Sequence, residues 1–137
     1  MVAWNGQAAG LCVFCQLTLE TRDHLFFVCP FVSIVWSALA KGLMKTRFTT
    51  DWSFLLDYIS NSNFQLVEGF LIRYLFQVVV YTVWRERNGR RHGEPSQPAD
   101  TIIAWVDRQV RDQLLAIDLM GDRRYDEGFQ MWLQSRV

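Results

Sequence analysis

The spacing Cys12-x2-Cys15-x8-His24-x4-Cys29 restricts the fold of this chain more than any other feature of its sequence. It places all three cysteines and one of the two histidines within residues 12–29. Two cysteines separated by two residues can turn toward one centre across a tight turn. A histidine and a cysteine five positions apart, at the start of a helix, can supply the other two corners of a tetrahedron. Three thiolates and one imidazole form a closed donor set of the structural zinc (Zn2+) type, with no open position for water. Pro30 suits the first helical position and makes Cys29 the N-cap. The partial positive charge of that helix end favours a thiolate at Cys29.

There is an energetic motive for such a site. Residues 1–29 contain little that could form a core alone, and structural zinc supplies about 10–16 kcal/mol in small peptides. The plain alternative is three buried cysteines and a chance histidine. A redox Cys-x-x-Cys would need a strand-to-helix context and would leave His24 and Cys29 unexplained. An odd cysteine count argues against a closed disulfide framework and points to a reducing compartment. Asp23 or Glu20 is expected to accept the second imidazole N–H. Phe26, Phe27, Phe31 and Trp36 are expected to pack over the metal site, the alternative being an exposed surface for stacking bases.

Half the residues are hydrophobic and a fifth are charged, the composition of a folded protein. The formal net charge is zero, so no global field draws the chain to nucleic acid or to an anionic membrane. The fold class expected is mainly α: a small Cys-Cys-His-Cys zinc module followed by three or four helices. Residues 1–11 read as a loose leader without signal-peptide character. The zinc module and its following helix occupy 12–48, with apolar residues at 31, 34, 35, 38 and 39 and Gly42 as a stop signal. A helical region spans 49–92: a short helix capped by Thr50 or Asp51, then a long one from Leu66 to about Asn88. The β-branched run "VVVYTV" would suit a strand, but the segment is too long for one. "GEPSQPAD", residues 93–100, reads as a linker. The remainder, 101–137, is an amphipathic helix capped by Asp100, with Ile102, Ile103, Val106, Val110, Leu114 and Ile117 in one stripe. The tail after Gly121 has no readable period. Phe64 to Trp84 is apolar enough to suggest a membrane span of about 20 residues. Glu68, Arg73 and Gln77 near its centre favour a soluble helix, and no membrane partner is expected.

"RERNGRRHG" gathers Arg85, Arg87, Arg90, Arg91 and His92 against one glutamate. These cations could grip phosphates in a salt-sensitive manner. They could equally complement the dipole at a helix C-terminus that Gly93 ends.

"CVFCQLTLETRDHLFFVCPFVSIVW" resembles the zinc-binding domain at the C-terminal end of reverse transcriptases from plant LINE-type (non-LTR) retrotransposons. Those domains show two cysteines, an acidic-Thr/Ser-x-x-His-Leu-Phe-Phe segment, Cys-Pro-Phe/Tyr and a Val-Trp pair. "VYTVWRERNGRRH" and "VRDQLLAID" resemble segments that follow in such elements, so the likeness covers most of residues 11–118. The resemblance implies Cys12, Cys15, His24 and Cys29 as zinc ligands, an association with RNA or DNA, and an intracellular site, nuclear or cytoplasmic. A polymerase palm needs carboxylates for two metal ions, usually including adjacent aspartates. This chain has no Asp-Asp pair, so no catalytic residue is expected and the chain reads as noncatalytic. A helical protein-interaction module, pairing with another chain or with itself through the 102–117 stripe and the long helix, is the alternative. A nonfunctional retroelement remnant would have the same sequence features.

Overall fold

In the computed structural model, residues 10–137 are described, and they form five α-helices with no β-strand among them. They are α1 (Pro30–Met44), α2 (Trp52–Asn61), α3 (Leu66–Arg91), α4 (Ala99–Leu119) and α5 (Gly128–Ser135). The mainly α expectation holds. Most of the leader lies outside the described residues.

Pro30 begins α1 with Cys29 as its N-cap. Val32, Val35, Trp36, Leu39, Ala40 and Leu43 follow at helical spacing and are buried. Gly42 does not stop this helix, which continues to Met44 and ends where Lys45 adopts φ 55°. Its role is steric instead: a Cβ at Gly42 would collide with the Ser135 carbonyl oxygen. The missing side chain lets α1 and α5 approach closely. Trp36 Nε1 donates to Thr49 O at 2.9 Å and holds the connection to α2.

Of the two candidate caps for α2, Asp51 serves: its carboxylate accepts from the Phe54 N–H at 3.0 Å. α3 is long and apolar enough to cross a membrane by length and composition. In this fold Val67, Leu71, Ile72, Leu75, Val79 and Val83 form its buried stripe, and the helix packs against α1, α4 and α5.

Gly93, at φ 81°, ends the turn after α3. The following passage is stitched to the helix it leaves. Glu94 N–H donates to Gly89 O at 2.9 Å, Gln97 N–H to Glu86 Oε2 at 2.9 Å, and Arg90 to Gln97 O at 2.8 Å. Helix α4 starts at Ala99 with Pro98 as its cap, so Asp100 is not the cap residue. Pro98 sets the entry geometry with its fixed φ, and Asp100 sits in the first turn, where its charge still meets the helix dipole. Ile102, Val106, Val110 and Leu114 are buried.

The tail is ordered by tertiary contacts. Trp132 of α5 is fully buried, and its Nε1 donates to Asp107 Oδ1 at 2.9 Å. Arg136 donates to the same Asp107 oxygen at 3.2 Å and to Ala38 O at 2.5 Å. A helix this short has little stability of its own, so packing supplies most of it. One continuous apolar core runs from Cys12 and Leu25 through α1, α3 and α4 to Trp132.

Candidate metal centre

Two short segments build the site. In the first, Cys12 N–H donates to Thr18 O at 2.7 Å, Gln16 N–H to Cys12 O at 2.9 Å, and Glu20 N–H to Gly10 O at 3.0 Å. Leu11 and Leu19 pair in an isolated antiparallel bridge. The chain reverses through Gln16, at φ 57°, and Cys12 and Cys15 come to the same side. In the second segment, His24 N–H donates to Thr21 Oγ1 at 3.1 Å. The chain then turns through Phe27, at φ 87°, and Cys29 N–H closes back on His24 O at 2.6 Å. A bulky residue rarely adopts such a backbone. Phe27 is held there because its ring is fully buried and stacked on Trp36, with centroids 4.5 Å apart.

One ligand atom from each of Cys12, Cys15, His24 and Cys29 lies within 4.8 Å of every other. Cys12 Sγ and Cys29 Sγ are 3.8 Å apart, and Cys15 Sγ is 3.3 Å from His24 Nε2. A tetrahedral centre with metal–sulfur bonds of about 2.3 Å separates its sulfurs by about 3.8 Å. The donor set therefore fits a metal ion with little adjustment, and these four side chains could hold one. Cys12 and Cys29 are fully buried, while Cys15 and His24 are half-buried at the rim.

Two of the three thiols are shifted toward the thiolate and one away from it. The hydrogen bond with Cys29 pulls the Cys12 thiol down to about 5, against the opposing effect of burial. The Cys29 thiol is pushed up, first by Cys12 and then by burial. Cys15 is lowered too: burial opposes its ionisation, but the Leu17 backbone, His24 and Thr18 outweigh it. Thiolate is the form that binds metal.

The aromatic residues near the site pack inward. Phe26, Phe27 and Trp36 are buried, and Phe26 stacks on Trp52 at 5.3 Å. Phe31 is half-buried and stacks on Phe14 at 4.9 Å. Neither Asp23 nor Glu20 takes the expected place beside the imidazole. Asp23 pairs with Arg22 at 3.1 Å, and Glu20 is drawn away by arginines of α3. The Thr18 hydroxyl lies 3.4 Å from His24 Nε2, the same nitrogen that faces Cys15.

The basic segment divides in two. Arg87 is buried and donates from Nε and Nη2 to Glu20 Oε1, at 2.9 and 2.7 Å. Arg91 reaches Glu20 Oε2 at 3.1 Å. Arg90 pairs with Glu86 at 2.8 Å, and its guanidinium lies 4.8 and 4.7 Å from the Phe14 and Phe31 rings. Arg85 and His92 remain exposed. Sequence spacing missed the link from Glu20 to Arg87 because partners so far apart leave no local pattern.

Comparison with protein-family models, curated proteins and solved structures gives no match for this chain.

Proposed function

We propose that this chain is a noncatalytic, zinc-structured helical module of the kind found at the C-terminal end of LINE-type reverse transcriptases, and that it associates with RNA or DNA. The observation carrying this reading is the convergence of four donors with two of the sulfurs fully buried. A set of three thiolates and one imidazole fills a tetrahedron, which suits a structural ion and leaves no coordination site for a substrate. Soft thiolates at tetrahedral spacing favour zinc over the hard cations. The ion would fasten the 10–29 loop onto the helical body, where Leu25, Phe26 and Phe27 already join the common core.

Arg85 and His92, exposed at the C-terminal end of α3, support the nucleic-acid part of the reading. Arg87 contributes indirectly by bracing the metal loop. The test pairs metal analysis of the reduced, purified chain with binding to single-stranded RNA or DNA across a salt series. One zinc per chain and steeply salt-sensitive binding are expected. Absence of zinc sinks the structural half, and absence of binding at low salt sinks the other.

A second reading has its own support. Leu11, Leu17, Leu19, Val28 and Ile34 are large apolar side chains left half or more exposed around the metal loop. Such clustering favours a protein partner or self-association. Sedimentation that shows a clean monomer without apolar-dye binding would count against it.

A further inference from the structure

The cleft between α3 and α4 has a composition that the zinc site does not explain. Its volume is about 700 Å³, and Gln77, Tyr81 and Arg85 on α3 face Trp105, Arg108 and Gln109 on α4 across it. Trp36 and Trp132 are fully buried, whereas Tyr81 is 64% and Trp105 47% exposed. Two large rings left in water beside two guanidinium groups and two amides match the parts of a nucleotide. Bases stack on aromatic faces with little sequence preference, guanidinium groups take phosphate oxygens in a fork, and amides can satisfy base edges.

Charge placement narrows the occupant. Glu86 lines the cleft too, with its Oε2 held by Arg90 and the Gln97 N–H, so that Arg90 offsets its charge. The carboxylates left are Asp112, at the Tyr74 end, and Glu94, which lies against Gly89 at the other. The arginines and rings fall between them. A strand lying along the whole cleft would meet a carboxylate at each end. A strand crossing it would meet the central rings and cations, with Glu86 already paired to Arg90.

We propose that this cleft seats one or two nucleotides of a single-stranded nucleic acid, with a base against Tyr81 and Trp105 and the flanking phosphates on Arg85 and Arg108. The proposal deepens the nucleic-acid association above and rests on it.

The zinc-loaded full chain is titrated into two end-labelled single strands of about eight nucleotides, a length within the usual site size. One is oligothymidylate and the other an abasic deoxyribose-phosphate strand, both followed by fluorescence polarisation. The abasic strand should bind roughly tenfold more weakly or worse, and Tyr81→Ala and Trp105→Ala should each cost oligothymidylate a similar factor. Arg85→Ala and Arg108→Ala should each flatten the salt dependence by about 0.7 in log–log slope. Metal content and helical circular dichroism show that each variant is folded. Equal binding of the two strands, or indifference to both aromatic substitutions, overturns the cleft proposal while leaving salt-sensitive association intact. No binding of either strand overturns both. A proline-rich peptide that binds in a Tyr81- and Trp105-dependent manner, with no oligonucleotide competing, would make the cleft a protein site and overturn the proposal.

Discussion

Arg87 and Glu20 form a buried, two-pronged ion pair across 67 residues of sequence, with Nε and Nη2 both donating to one carboxylate oxygen. Arg91 occupies the other oxygen. This junction ties the metal loop to the end of the longest helix. Removing Glu20 takes the carboxylate away from a buried guanidinium, and removing Arg87 leaves the buried Glu20 with one of its two arginines. Glu20→Ala or Arg87→Ala should therefore cost about 3–5 kcal/mol, while replacing both by apolar residues of similar volume should cost far less. Urea melts of the metal-loaded chain decide the matter. A double variant as unstable as the sum of the singles would refute the ion-pair account.

The same junction predicts a pH response. Burial raises the Glu20 carboxyl, but Arg87 and Arg91 overcome that and hold it below its ordinary value of 4.5. A carboxylate lowered in the folded state contributes stability that is complete above its unfolded value and is lost as pH falls through the folded one. Acid also protonates the metal ligands, so the informative quantity is the difference between the native chain and Glu20→Gln. That difference should shrink steadily below about pH 4.5, the ordinary carboxylate value. A constant difference down to the acid transition would remove the carboxylate from the explanation.

Metal removal should act unevenly. With a chelator, amide exchange protection should vanish first across residues 11–29, and Cys15→Ser should reproduce the effect. The apolar stripes of α3 and α4 do not include a metal ligand, so part of their protection should outlast that of the loop. Hydrogen exchange read by mass spectrometry separates the regions. Simultaneous loss everywhere would show that the ion holds the whole chain together.

Gly42→Ala offers a sharp steric test. In an unhindered helix interior, alanine replaces glycine with a gain of up to about 1 kcal/mol. Here the added methyl meets the Ser135 backbone carbonyl oxygen, and overpacking of this kind costs about 1–3 kcal/mol. A lowered melting temperature is expected, and a raised one would show that α5 yields without penalty.

What could be read from the sequence, and what could not, divides along the reach of the interactions. The convergence of Cys12, Cys15, His24 and Cys29 was legible because a four-donor set confines residue type and spacing to one short stretch. A cap at Thr50 or Asp51 and the Ile102–Leu114 stripe were legible because both are local signals, although the choice of Asp51 came only with its bond to Phe54. Asp100 misled because Pro98 sets the start of α4 earlier than a carboxylate rule would place it. Gly42 misled because its partner, Ser135, lies on a helix that sequence periodicity did not reveal. The basic run read as one cluster, yet Glu20 and Glu86 draw three of its arginines into the fold. Long-range pairing of that sort leaves no trace in spacing.

Phe27 carries an implication for how the chain tolerates length variation. Its left-handed backbone and locked ring sit between His24 and Cys29, so an added or deleted residue there would throw one donor out of reach. Residues 16–18 are exposed to water throughout, yet Gln16 and Thr18 are both tied to the Cys12 backbone. Leu17, between those two bonds, is where an inserted residue should cost least, while the shorter interval downstream behaves as a ruler.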